Sequence, residues 1–142
     1  MRIILADHHV LPLRPLKARL DEEPDFELIG EAVDAESLLK LANAQTADLI
    51  LMDYGLPGIP MEVLIASLHA IKPSPIVVVM SSKSEHSRML LKAGADSFVS
   101  KVDHPDWLIQ CLRKYMKPAV KEDPNCNRES QTDPIEQGAA SG

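Results

Sequence analysis

Polar residues able to do chemistry stand where short apolar runs end. Asp7 closes the run IILA, with His8 directly behind it, and Asp53 closes LILM. Ser81 follows IVVVM, and Lys101 follows SFVS. A carboxylate delivered by a buried strand and followed by turn formers, here Gly55, Pro57 and Gly58, can act as a nucleophile toward a phosphoryl group. That transfer needs a cation against the developing charge and donors for the transferred oxygens. Asp7 can hold a metal ion, Lys101 can pair with phosphate, and Ser81 can donate a hydrogen bond. Taken alone, Asp53 reads equally well as an ordinary turn residue at a strand end. The recurrence of such groups at several strand ends favours the chemical reading. Asp7, His8, His9 and Asp53 also form a candidate set for Zn²⁺ or another imidazole-friendly ion. Neighbouring residues at a strand end point apart, which counts against both histidines serving together.

The elements that must position these residues alternate along the chain. Residues 3–7, 26–32, 48–53, 75–80 and 96–100 read as strands; 75–80 is the most β-like because branched side chains suit a pleated buried surface. Residues 10–22, 35–44, 60–71, 84–93 and 105–117 read as helices from their apolar spacing. Leu13, Leu16 and Leu20 share a stripe on the first helix, and Leu38, Leu39, Leu41 and Ala42 face inward on the second. Pro60 suits a first helical turn, Gly94 a helix stop, and Asp103 or His104 a helix cap. Five β-then-α units with nearly continuous apolar strands predict an α/β fold, a doubly wound five-stranded parallel sheet covered by helices on both faces. Sites in such sheets lie beyond the carboxyl ends of the strands, where Asp7, Asp53, Ser81 and Lys101 converge.

The segments IILADHHV, LILMDYGLPG, VVVMSS and KAGADSFVSK resemble the response-regulator receiver family of two-component signalling over about residues 1–117. IGEAVDAES points to receivers that usually precede a helix-turn-helix DNA-binding domain. The resemblance implies a flavodoxin-like (βα)5 fold with Asp53 as phospho-acceptor. It implies Mg²⁺ held by Asp7, Asp53 and the carbonyl of Gly55, with Lys101 pairing with the phosphoryl group. Ser81 matches the switch hydroxyl and Phe98 the switch aromatic, which move on phosphorylation and remodel the surface of the fourth helix, fifth strand and fifth helix. The implied partners are a histidine kinase or phosphotransfer protein and a downstream protein, with a homodimer as a further expectation. The protein is expected to be a phospho-acceptor, not an enzyme.

Three departures from the family pattern bear on this. His8 replaces the second acid of the metal-binding pair; imidazole suits Mg²⁺ poorly, so weak metal binding and slow or absent phosphorylation are expected. A degenerate receiver that binds proteins without phosphoryl chemistry is therefore the alternative. Counting five residues from Pro75 puts Met80 at the switch position, and the interval from Ser81 to Lys101 is about two residues short for the family. Pro60-Met61 stands where an Asp-Gly is usual.

The chain has 142 residues, enough for one sizeable core, and a formal net charge of −6. That balance argues against direct nucleic-acid binding, and a truncated relative of a DNA-binding regulator is the weaker alternative. Cys111 and Cys126 match no zinc spacing and no disulfide-rich framework, and a reducing cytosol is the simplest expected setting. No run approaches a membrane span. Residues 1–117 are thus expected to form the receiver domain. Residues 118–142, with two basic and five acidic side chains, are expected to be a polar tail without fixed structure. His69, His86 and His104 are expected to face solvent.

Overall fold

The computed structural model describes residues 1–8, 14–101 and 104–116. Readings that fall on His9, the start of the first helix including Leu13, Asp103 and the tail from 117 onward lie outside the described residues.

The strands are β1 (Arg2–Ala6), β2 (Glu27–Ala32), β3 (Leu49–Asp53), β4 (Ile76–Ser81) and β5 (Ser97–Ser100). The helices are α1 (Arg14–Asp21), α2 (Ala35–Ala44), α3 (Met61–His69), α4 (His86–Lys92) and α5 (Pro105–Arg113), and a 3₁₀ turn follows at Lys114–Met116. All pairings are parallel, in the order β2-β1-β3-β4-β5. The order reverses beside β1, between β1 and β3. A doubly wound sheet opens a crevice there at its carboxyl edge.

Strand side chains alternate between the two faces, and this sorts the core into two layers. Ile4, Ala6, Ile50, Met52, Val77, Val79 and Phe98 pack with α2, α3 and α4 through Leu38, Leu64, Leu68 and Leu90. Ile3, Leu5, Leu49, Leu51, Val78, Met80 and Val99 pack with α1 and α5 through Leu16, Leu20, Leu108 and Leu112. β3 is buried along its whole length, which is why it reads as an unbroken apolar run ending in Asp53.

Helix ends follow local chemistry. The Asp34 side chain accepts the Ser37 N–H at 2.8 Å and caps α2, whose limits match the sequence reading. The Ser37 hydroxyl, which donates to Asp34 Oδ1 at 2.6 Å, and this N–H together hold the Asp34 carboxyl below its ordinary value. Pro60 proves to be the residue before α3, not part of its first turn, because its ψ of 144° is extended. His104 caps α5 by accepting the Asp106 N–H at 3.1 Å. Gly94, with φ of 111°, ends α4; this left-handed conformation is strained for residues with a Cβ. β3 starts at Leu49, one residue later than expected, and the Asp48 carboxylate just before it accepts the Arg2 N–H at 2.7 Å. α1 and α5 are bridged by Arg19 to Asp106, and Arg113 pairs with Glu23 and Asp25.

Phe98, on β5, is fully buried in the core layer that also holds Leu90 of α4. Phe98→Ala leaves a cavity and is expected to cost about 3–5 kcal/mol. Urea denaturation should show a lowered midpoint with little change in slope; an unchanged midpoint would mean that the layer does not depend on this ring.

Candidate functional site

Side-chain alternation decides what meets at the carboxyl edge. Asp7 shares the parity of Ile3 and Leu5, Asp53 that of Leu49 and Leu51, and Lys101 that of Val99, so all three lie on the α1/α5 side. Ser81 continues the opposite parity of Val77 and Val79, which face the α4 side. Backbone bonds extend the sheet into the loops. The Asp7 N–H donates to the Ala32 carbonyl at 3.0 Å, Tyr54 N–H to the Met80 carbonyl at 2.7 Å, and Lys101 N–H to the Ser81 carbonyl at 2.9 Å.

The centre is an ammonium between two buried carboxylates. Lys101 Nζ donates to Asp7 Oδ2 at 2.8 Å and to Asp53 Oδ1 at 2.9 Å. Asp7 is 2% exposed and Asp53 6% exposed. Burial alone would lower the pKa of Lys101. The bonds to Asp7 and Asp53 outweigh it, so the amine is held above its ordinary value.

The other carboxylate oxygens turn toward His8. Its Nδ1 lies 3.9 Å from Asp7 Oδ1 and 3.8 Å from Asp53 Oδ2. Donor atoms of Asp7, His8 and Asp53 all fall within 4.8 Å of one another. The Gly55 N–H donates to Asp53 Oδ2 at 3.0 Å. A Cβ at Gly55 would sit 3.1 Å from that oxygen and 3.6 Å from His8 Cε1, so glycine keeps this cleft open. Two carboxylate oxygens fit a hard divalent cation, and the imidazole is the donor that fits it less well.

His8, Asp53, Gly55, Ser81 and Lys101 line one cavity of about 350 Å³, joined by Tyr54, Ser82, Lys83 and His86. Met80 instead points into the α1/α5 layer, so of the two residues offered by counting, Ser81 is the one at the cavity. Ser81 Oγ accepts the Lys83 N–H at 3.1 Å and lies 2.7 Å from His86 Nδ1. The His86 ring packs on Tyr54 with centroids 4.1 Å apart. The expectation that His86 faces solvent is therefore corrected, since α4 begins at this residue and turns it onto the cavity. His69 is likewise not a free surface group, because its Nε2 lies 2.8 Å from Asp96 Oδ2. His104 is exposed as expected. Tyr54 and His86 were not found as site residues from sequence; neither spacing nor periodicity marks them, because their meeting depends on where α4 starts.

The family model for the response regulator receiver domain matches residues 3–113. The chain belongs to the response-regulator receiver family. The nitrate/nitrite response regulator protein NarP of Escherichia coli is 28% identical over 114 residues, covering 79% of this chain and 53% of the relative. The transcriptional regulatory protein LiaR of Bacillus subtilis is 28% identical over 123 residues, covering 85% of this chain and 58% of the relative. The chain thus spans about half the length of the curated relatives it matches. Among solved structures, the isolated receiver domain of RcsB from Salmonella enterica, in the presence of phosphomimetic BeF₃⁻, superposes with a TM-score of 0.74. It is 22% identical, and the match covers 93% of this chain and 96% of that one. The signal receiver domain of a NarL response regulator from Mycobacterium tuberculosis gives a TM-score of 0.72 at 23% identity, covering 80% of this chain and 93% of that one. Both share the doubly wound receiver fold. Among the described residues, no helix is long and apolar enough to cross a membrane.

In this receiver, removing the Lys101 charge leaves two buried carboxylates facing each other. Lys101→Met is expected to lower stability at pH 7 by about 2 kcal/mol. Because the folded-state value of Lys101 is raised, its contribution is fully present below the unfolded lysine value. It is lost as pH rises through the folded one. Denaturation midpoints of wild type and variant should therefore converge in strongly alkaline buffer; a constant gap would contradict the ion-pair account.

Proposed function

We propose that this receiver accepts a phosphoryl group on Asp53 and signals through protein–protein contacts. The observation that carries the reading is the Lys101 amine bound to both Asp7 and Asp53 at the crevice where the strand order reverses. A carboxylate oxygen of Asp53 attacks phosphorus, the bond from phosphorus to the donor breaks, and an acyl phosphate forms. From a phosphohistidine donor the broken bond is P–N, and the leaving imidazole takes up a proton. Lys101 stays beside the transferred oxygens as a counter-charge, and the Ser81 hydroxyl supplies a hydrogen-bond donor. Asp7, Asp53 and the Gly55 carbonyl are the groups that would hold Mg²⁺, which neutralises developing charge when bound. The chain is a phospho-acceptor and not itself an enzyme. Its donor is a histidine kinase or phosphotransfer protein, and its setting is cytoplasmic. Ser81 and Phe98 form the switch pair, and the downstream partner reads the surface of α4, β5 and α5.

The test is intact-mass measurement after incubation with Mg²⁺ and acetyl phosphate. Wild type is expected to gain one phosphoryl group, and Asp53→Asn none. A wild type that stays unmodified under conditions that label a control receiver removes the acceptor reading and leaves the fold untouched.

One observation favours the second reading, a protein-binding receiver without phosphoryl chemistry. The imidazole of His8 occupies the side of the cleft where the family places an acid. Mg²⁺ is expected to bind weakly, and His8→Asp should tighten binding about ten-fold or more by adding a hard oxygen donor and a negative charge. Isothermal titration with Mg²⁺ checks this. Equal affinities in the two proteins would show that His8 does not limit the site. Phosphorylation that appears only in His8→Asp would favour the second reading.

A further inference from the structure

A serine hydroxyl has one proton and two acceptor lone pairs. At Ser81 the Lys83 N–H uses one lone pair at 3.1 Å. Nδ1 of His86 lies 2.7 Å from the same oxygen, in a site where Ser81 is 4% exposed. A neutral imidazole whose Nδ1 is bare accepts the hydroxyl proton. A phosphoryl oxygen on Asp53, which lines the same cavity, requires that same proton. One proton cannot fully serve both acceptors.

The imidazole is braced for this role. Its ring packs on Tyr54 with centroids 4.1 Å apart and planes inclined by 31°. Tyr54 follows the acceptor Asp53 directly and is anchored by its own N–H bond to the Met80 carbonyl. His86 is the first residue of α4, a helix of seven residues whose N-cap, Glu85, makes no side-chain capping bond. The Ser81 bond and the Tyr54 contact therefore tie the first turn of α4 to the ends of β3 and β4. Beyond that turn, Met89 is 46% exposed and lines an apolar groove with Tyr54, Pro60 and Met61.

We propose that His86 is a positioning residue that holds the Ser81 hydroxyl in reserve, accepting its proton at rest and giving it up to a phosphoryl group on Asp53. The exchange makes and breaks hydrogen bonds only. When Ser81 leaves, the first turn of α4 loses one of its ties, and the groove beside Met89 is free to change shape. This rests on the reading of Asp53 as the acceptor.

Two measurements test it. The first is ¹⁵N NMR of the His86 imidazole in the unmodified protein in alkaline buffer. Nδ1 is expected to be the bare acceptor with the proton on Nε2, and Ser81→Ala should erase that preference; a proton on Nδ1 of the neutral ring overturns the proposal. The second is titration with beryllofluoride in the presence of Mg²⁺. His86→Phe keeps a ring against Tyr54 but removes the acceptor, and should bind about five-fold more tightly, the worth of one neutral hydrogen bond. His86→Asn, whose side-chain oxygen can stand in for Nδ1, should return to the wild-type affinity. In a Ser81→Ala background, His86→Phe should make no difference. Equal binding by wild type and His86→Phe overturns the reserve role while leaving Asp53 as acceptor. Failure of both to bind overturns the acceptor reading and this proposal together.

Discussion

Two carboxylates buried within reach of one another are unstable unless a cation stands between them. Here that cation is Lys101, bonded to Asp7 and Asp53 at 2.8 and 2.9 Å. The pairing joins residues 94 and 48 positions apart in sequence, so it exists only when β1, β3 and β5 are in register. The same contact that compensates the buried carboxylates also reports that the sheet is correctly assembled. A phosphoryl group must compete with the carboxylates for the amine, whereas the two oxygens that Lys101 leaves, Asp7 Oδ1 and Asp53 Oδ2, face His8.

Face alternation distributes the work. Asp7, Asp53 and Lys101 share the side of the sheet covered by α1 and α5, whereas Ser81 continues the row that faces α4. The charged centre and the hydroxyl therefore reach one cavity from opposite layers. Ser81 in turn meets His86, the first residue of α4, at 2.7 Å. Phe98 is packed in the layer that α4 covers, so a displaced α4 alters the space available to that ring.

His8 changes the balance at the centre. A second acid would place three carboxylates around one lysine, an arrangement that calls strongly for a divalent cation. With an imidazole there, one lysine faces two carboxylates and the demand for metal is weaker. The receiver architecture is intact around a centre whose charge has been reduced.

The amino-acid sequence by itself determined the α/β class, the five-fold alternation, the limits of α2 and the placing of Asp7, Asp53 and Lys101 at strand ends. Those features depend on local periodicity and on turn formers such as Gly55 and Gly94, and both are visible in a single chain. Tertiary structure alone decided which neighbour meets which. Met80 and Ser81 are adjacent and both plausible by counting; they were separated only by which face of β4 each occupies, a matter of register against β3 and β5. The start of α4 at His86, and with it the contacts to Ser81 and Tyr54, is likewise set by packing between layers. No periodic signal encodes it, because a short helix without a capping side chain begins where the sheet allows.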